Sequence, residues 1–142
     1  MRKITTLIFG AALAVLVMAG SAWAQESTTS LIKQLREDTD RFQKTVNTAL
    51  DRSSIDGTNA EDEINRYVNE FEDAIGKFKD SWEDARDEAK GWAGEVMVRG
   101  RAIDRFLKKH ADSFNSGVHT DWATVKLDIG RIAKANDVKV KW

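Results

Sequence analysis

Residues 64–89 read INRYVNEFEDAIGKFKDSWEDARDEA, with apolar side chains at Ile64, Val68, Phe71, Ile75, Phe78, Trp82, Ala85 and Ala89. The steps between them alternate four and three without a miss, which sets them along one stripe of a single long helix. Ile64, Val68, Phe71, Ile75, Phe78 and Trp82 are the expected core seam. A tight two-stranded coiled coil prefers branched aliphatics at such positions. Three aromatics and two alanines suit a globular bundle instead, wide in the middle and narrow at Ala85–Ala89.

The segments on either side are read as cover for this stripe. Upstream, Thr58 followed by Glu61 has the form of a capping box. Glu61, Asp62 and Glu63 place negative charge in the first turn, where the helix dipole favours it. The helix therefore starts near Asn59. Asp56-Gly57 marks the turn before it. Earlier still, Leu31, Leu35, Phe42, Val46, Ala49 and Leu50 recur at helical steps over about 30–52, with Ser30 or Thr28 as cap.

Downstream, Gly91 and Gly94 predict a break within 90–94. An unbroken helix over 59–110 would be about 75 Å long, more than the other segments can cover. A third helix is expected over about 94–110, with Val96, Ile103, Phe106 and Leu107 inward. Asn115-Ser116-Gly117 predicts a turn, and Thr120 or Ser116 a cap. Trp122, Val125, Ile129, Ile132 and Ala133 give a fourth helix that stops at Asn136. Val138, Val140 and Trp142 then alternate with lysines, as in an extended segment with one apolar face. The expected fold is an all-α, up-down-up-down four-helix bundle with two long helices, two shorter ones and a short extended tail.

The start of the chain has a different character. Arg2 and Lys3 precede an uncharged apolar run over 4–20, and Ala22-Trp23-Ala24 offers small residues where a signal peptidase reads them. Residues 1–24 are expected to be a cleaved signal peptide and 25–142 one exported domain, periplasmic or secreted, with no retained transmembrane segment. Without Arg2 and Lys3 the 22 basic residues become 20, against 23 acidic ones. That balance argues against a nucleic-acid partner. The chain has no cysteine, which excludes disulfides, thiolate ligation and cysteine nucleophiles, and no proline to interrupt its helices.

Few residues suggest chemistry. His110 and His119 flank one loop and, with Asp112, are the candidate metal ligands. Haem would need an axial ligand facing the core, and Met97 sits beside the main stripe rather than on it. The carboxylates of the long helix lack a Glu-x-x-His partner and are interleaved with lysines, as on a solvated face. There is no nucleophile motif or phosphate loop, so neither enzymatic activity nor a cofactor is expected. Asp51, Arg52, Asp56 and Arg66 are the candidate charge cluster that would pin the turn between the first two helices.

The run LDRSSIDGTNAEDEINRYVNEF (residues 50–71), Ile103-Asp104-Arg105-Phe106, Asp121-Trp122-Ala123-Thr124 and the terminal Trp142 resemble a group of uncharacterised exported bacterial all-helical proteins. The resemblance implies an exported helical protein and supplies no activity. The functional expectation is a non-enzymatic exported protein, monomer or homodimer, that binds another macromolecule or the cell envelope. The alternatives are a small-ligand or metal carrier, using the bundle interior or the His110–His119 turn, and a chaperone-like envelope stress protein.

Overall fold

The computed structural model describes residues 27–142. The expected signal peptide lies outside them. Four helices follow one another: α1 (Thr28–Leu50), α2 (Asn59–Asp84), α3 (Arg86–Lys109) and α4 (Ser116–Ala135), with a short 3-10 turn at Ala111–Ser113. There is no strand among the described residues, nor any helix long and apolar enough to cross a membrane.

Each start carries a side-chain cap except that of α3. Ser27 accepts from the Ser30 N–H, upstream of the caps expected from the sequence. Thr58 accepts from the Ala60 N–H, while Glu61 Oε2 accepts from the Gly57 N–H at 2.6 Å. Asn115, rather than Ser116 or Thr120, caps α4 by accepting from the Val118 N–H. Gly57 takes the left-handed backbone of the turn before α2 (φ 68°), a conformation that costs glycine nothing.

The break after α2 corrects the expected one. It falls at Ala85, whose backbone leaves the helical region (φ −148°, ψ 76°), and α3 begins at once at Arg86. Gly91 and Gly94 stay inside α3. Two glycines weaken a helix by about 1 kcal/mol each, but here packing overrides propensity. Ala89 and Ala93 are buried, and their small side chains let this stretch lie close. Asp87 and Glu88 favour a helix N-terminus at this point. The four helices are consequently similar in length, with 23, 26, 24 and 20 residues, instead of two long and two short.

α2 packs chiefly on α3, and α1 chiefly on α4; contacts between α1 and α2, and between α3 and α4, are sparser. Ile64, Phe71 and Phe78 are fully buried, Val68 and Ile75 nearly so, and Trp82 partly. Met97 is also buried, so the inner face of α3 is broader than the sequence suggested.

The packing converges on Trp122 of α4. Its ring lies 5.1 Å from Phe42 of α1 and 5.9 Å from Phe71 of α2. Its indole N–H donates to Asp104 of α3 at 3.0 Å. Beyond the end of α4, Trp142 meets the same ring edge-on at 6.3 Å. One side chain of α4 thus meets the three other helices and the chain end. A Cβ on Gly100 would stand 3.2 Å from Ile129 and 3.5 Å from both Phe71 and Trp142, so glycine leaves room here for close packing.

Candidate functional site

Two features stand out from the closed core: a buried carboxylate and an open furrow. The carboxylate is Asp104, nearly inaccessible to solvent. Its Oδ1 accepts from Lys126 at 2.9 Å as well as from Trp122, and its Oδ2 from Lys108 at 2.6 Å. Burial alone would raise its pKa, but the hydrogen bonds from Lys108, Lys126 and Trp122 outweigh that and hold it at about 2. Every acceptor site of importance is thereby engaged within the protein. Asp104 joins α3 to α4 and orients Trp122; its role is architectural.

The furrow runs between α1 and α2, where contact is sparse. One cavity of about 370 Å³ is lined by Thr29, Ile32, Arg36, Asp40, Trp82 and Glu83, among others. A second of about 280 Å³ continues from it, lined by Arg36, Thr39, Asp40, Gln43, Glu72 and Ile75, with Gly76. Arg36 and Asp40 belong to both. Positions three and four apart on α1 make one wall because helical geometry sets them on one face.

The two ends of the furrow differ in chemistry. At the outer end Trp82 is half-buried, packed on Phe78 at 6.4 Å, with the Arg86 guanidinium 4.6 Å from its ring centre. Ile32 lies opposite. At the inner end Asp40 of α1 and Glu72 of α2 share a cavity. Burial raises the Glu72 pKa, and repulsion from Asp40 raises it further; a hydrogen bond from Gln43 at 3.4 Å offsets part of this. Neither carboxylate takes an ion pair among the described residues. Together the ends can hold an apolar group and a hydrogen-bond donor or cation.

The residues singled out from sequence fare differently. His119 turns its Nε2 to the Ala111 carbonyl at 3.5 Å. The His110 ring lies 4.4 Å from that of Phe106, and Asp112 is exposed. Among the described residues no three histidines or carboxylates are grouped as a metal site would need. The two histidines flank the same loop, and each ring has a different neighbour, Ala111 for His119 and Phe106 for His110. The turn cluster is likewise not assembled. Arg66 reaches along α2 to Glu70 at 3.1 Å and lies over Tyr67, one helical turn being a shorter span than the turn region. Asp51, Arg52 and Asp56 are exposed.

Of the furrow residues, Ile75 and Trp82 belong to the core seam expected from the sequence. Glu72 belongs to the carboxylates that the sequence places on a solvated face, whereas in the structure it is half-buried. The available signal was the i, i+4 spacing of Arg36 and Asp40 beside the apolar stripe. Comparison with protein-family models, with curated proteins and with solved structures returns no match.

Proposed function

We propose that this chain is a non-enzymatic exported protein that binds another macromolecule through the α1–α2 furrow. The observation that carries the reading is the furrow itself: an open cleft of about 370 Å³ with an apolar end at Ile32 and Trp82. Export rests on the sequence of residues 1–24, and the resemblance to exported helical proteins agrees with it. The connectivity we favour is up-down-up-down. It is supported by the meeting of Glu70 with Arg99 and of Lys77 with Trp92 across α2 and α3. Residues 138–142 are taken as an extended tail over the α3–α4 seam, in keeping with the half-buried Val138 and Val140 and with Trp142 against Trp122.

A photo-crosslinking residue at Lys33, on the furrow, and another at the exposed Leu127 of α4 test this in the producing cells. A discrete crosslinked product from position 33 and none from 127 is the expected result. No product from 33, or equal products from both, would remove the reading. The volume of the outer cavity also lies within the range of small-ligand pockets, which favours a small-ligand carrier as the second reading. Native mass spectrometry of the purified protein separates the two by a discrete added mass.

A further inference from the structure

We infer that the side of the bundle formed by α3, α4 and residues 138–142 docks on an anionic phospholipid bilayer, with its cations at the headgroups and its exposed apolar side chains in the interfacial layer. This side lies across the bundle from the α1–α2 furrow. The inference goes beyond the reading above and does not rest on it.

Charge is the first observation. Residues 27–99 hold 11 Lys and Arg against 17 Asp and Glu, whereas residues 100–142 hold nine against five. Of those five carboxylates, Asp104 and Asp128 are buried, and Asp121 accepts from Thr45 of α1 at 2.6 Å. Only Asp112 and Asp137 of this stretch are exposed, one in the turn before α4 and one just after the helix. Each cation of α2 meets a carboxylate along its own helix: Arg66 with Glu70, Lys77 with Asp73 and Lys79 with Glu83. By contrast, Arg105 of α3, Lys134 of α4 and Lys139 and Lys141 of the tail are exposed and take no ion pair among the described residues. The acidic excess of α1 and α2 stands one to two helix diameters behind, about 10–20 Å. The Debye length at physiological salt is about 8 Å, so a surface in front of α3 and α4 meets these cations largely unopposed.

Apolar exposure is the second observation, independent of the first. Among the described residues the exposed large apolar side chains are Val98 of α3, Leu127 of α4 and Trp142, with Leu127 65 % accessible. Scattered singly, such residues mean little, but helical geometry groups these with the cations. Val98, Arg101 and Arg105 recur at steps of three and four on α3, and Leu127, Arg131 and Lys134 at steps of four and three on α4, so each set shares one outward face. Lys108 of α3 and Lys126 of α4 converge on Asp104 and fix the two helices side by side. Trp142 spans the seam, its ring against Gly100 of α3 and 5.6 Å from the Lys126 ammonium group of α4. In the tail the half-buried Val138 and Val140 alternate with the exposed Lys139 and Lys141, so the lysines face out beside that ring.

A bilayer interface takes both kinds of group. Anionic headgroups attract Lys and Arg, and tryptophan settles at the headgroup level. Long cationic side chains lay their stems over apolar neighbours and keep the charged end at the phosphates. A polyanion in solution would use the cations and leave Val98 and Leu127 in water.

Flotation with lipid vesicles tests the inference on the protein as isolated from the producing cells. Vesicles with about 30 mol % phosphatidylglycerol are expected to bind at least about tenfold tighter than phosphatidylcholine alone, and the gain should vanish at about 0.5 M salt. The four-cation variant Arg105→Gln, Lys134→Gln, Lys139→Gln, Lys141→Gln should lose about tenfold or more on the anionic vesicles. The α1-side variant Lys33→Gln, Arg36→Gln, Lys44→Gln, Arg52→Gln changes the net charge equally and should cost less than about twofold. Val98→Asn with Leu127→Asn should weaken binding about fivefold. All the substituted side chains are exposed, and unchanged helical circular dichroism reports the fold. Equal binding to both vesicle types, or equal loss in the two four-cation variants, would overturn the inference. A preference for anionic vesicles that the Val98 and Leu127 pair leaves untouched would overturn the bilayer assignment in favour of a polyanion in solution. A labelled DNA duplex of about 20 base pairs, titrated at the same salt, would then bind as tightly as the vesicles. The crosslink from position 33 reads the furrow separately, and lipid against α4 gives no discrete protein product at Leu127.

Discussion

Asp104 and Glu72 are both carboxylates near a helix interface, and their surroundings push them in opposite directions. Asp104 is held ionised by two ammonium groups and an indole N–H, with its pKa lowered from 3.8 to about 2. It therefore contributes stability that is fully present above its unfolded value and is lost as pH falls from about 4 to about 2. Asp104→Asn should lower the unfolding free energy at neutral pH by about 2–3 kcal/mol, the scale of hydrogen bonds to a charged group. It should also flatten the acid limb of stability, as read by urea melts across that range. Glu72 behaves in reverse. Its folded pKa is raised above the usual 4.5, so stability falls as pH rises from the unfolded value through the folded one, and ionised Glu72 is a net cost above that. Glu72→Gln should raise the urea midpoint at pH 7 and leave it unchanged at pH 3. Neither role was read from sequence, because a carboxylate in a charged helix looks the same wet or buried. The position of Asp104 did hold a signal: four residues after Gly100 and three before Leu107, it falls on the inner face.

The elements themselves were more legible than their joints. Alternating steps of four and three located the core face of α2, and capping chemistry located its start. The joint after it was misplaced because glycine was weighed above packing. Ala85 is the joint itself, and Ala89 and Ala93 are small side chains buried on the first turns of α3. A Cβ built on Gly91 or Gly94 would meet nothing within 4 Å. Gly91→Ala and Gly94→Ala should therefore each raise stability by about 0.5–1 kcal/mol, measured by denaturant melts. Gly100→Val should do the opposite, since its side chain would collide with Ile129, Phe71 and Trp142. A loss of about 1–3 kcal/mol is the scale for overpacking, with a change in the near-ultraviolet signal of the tryptophans.

At the scale of the whole molecule, an all-helical architecture with a single core followed from periodicity and from the absence of proline and cysteine. Which helix faces which did not follow, since an amphipathic stripe specifies that a face is covered and leaves open by what. The chain end adds to the core from outside. Trp142 contacts Trp122, lies 5.6 Å from the Lys126 ammonium group and is 44 % exposed. Trp142→Ala should cost about 1–2 kcal/mol, the worth of a half-buried aromatic side chain, and leave the helical circular dichroism intact. The pairing of α1 with α4 has a temporal side. A chain that emerges N-terminus first presents α1 early, yet the principal surface that covers it arrives last, and Phe42 meets Trp122 only after a loop of about 80 residues has closed. The α2–α3 hairpin can assemble locally in the meantime. Any chain that stops short of α4 leaves Leu35, Phe42 and Val46 without that cover, so completeness of synthesis is checked by the fold itself.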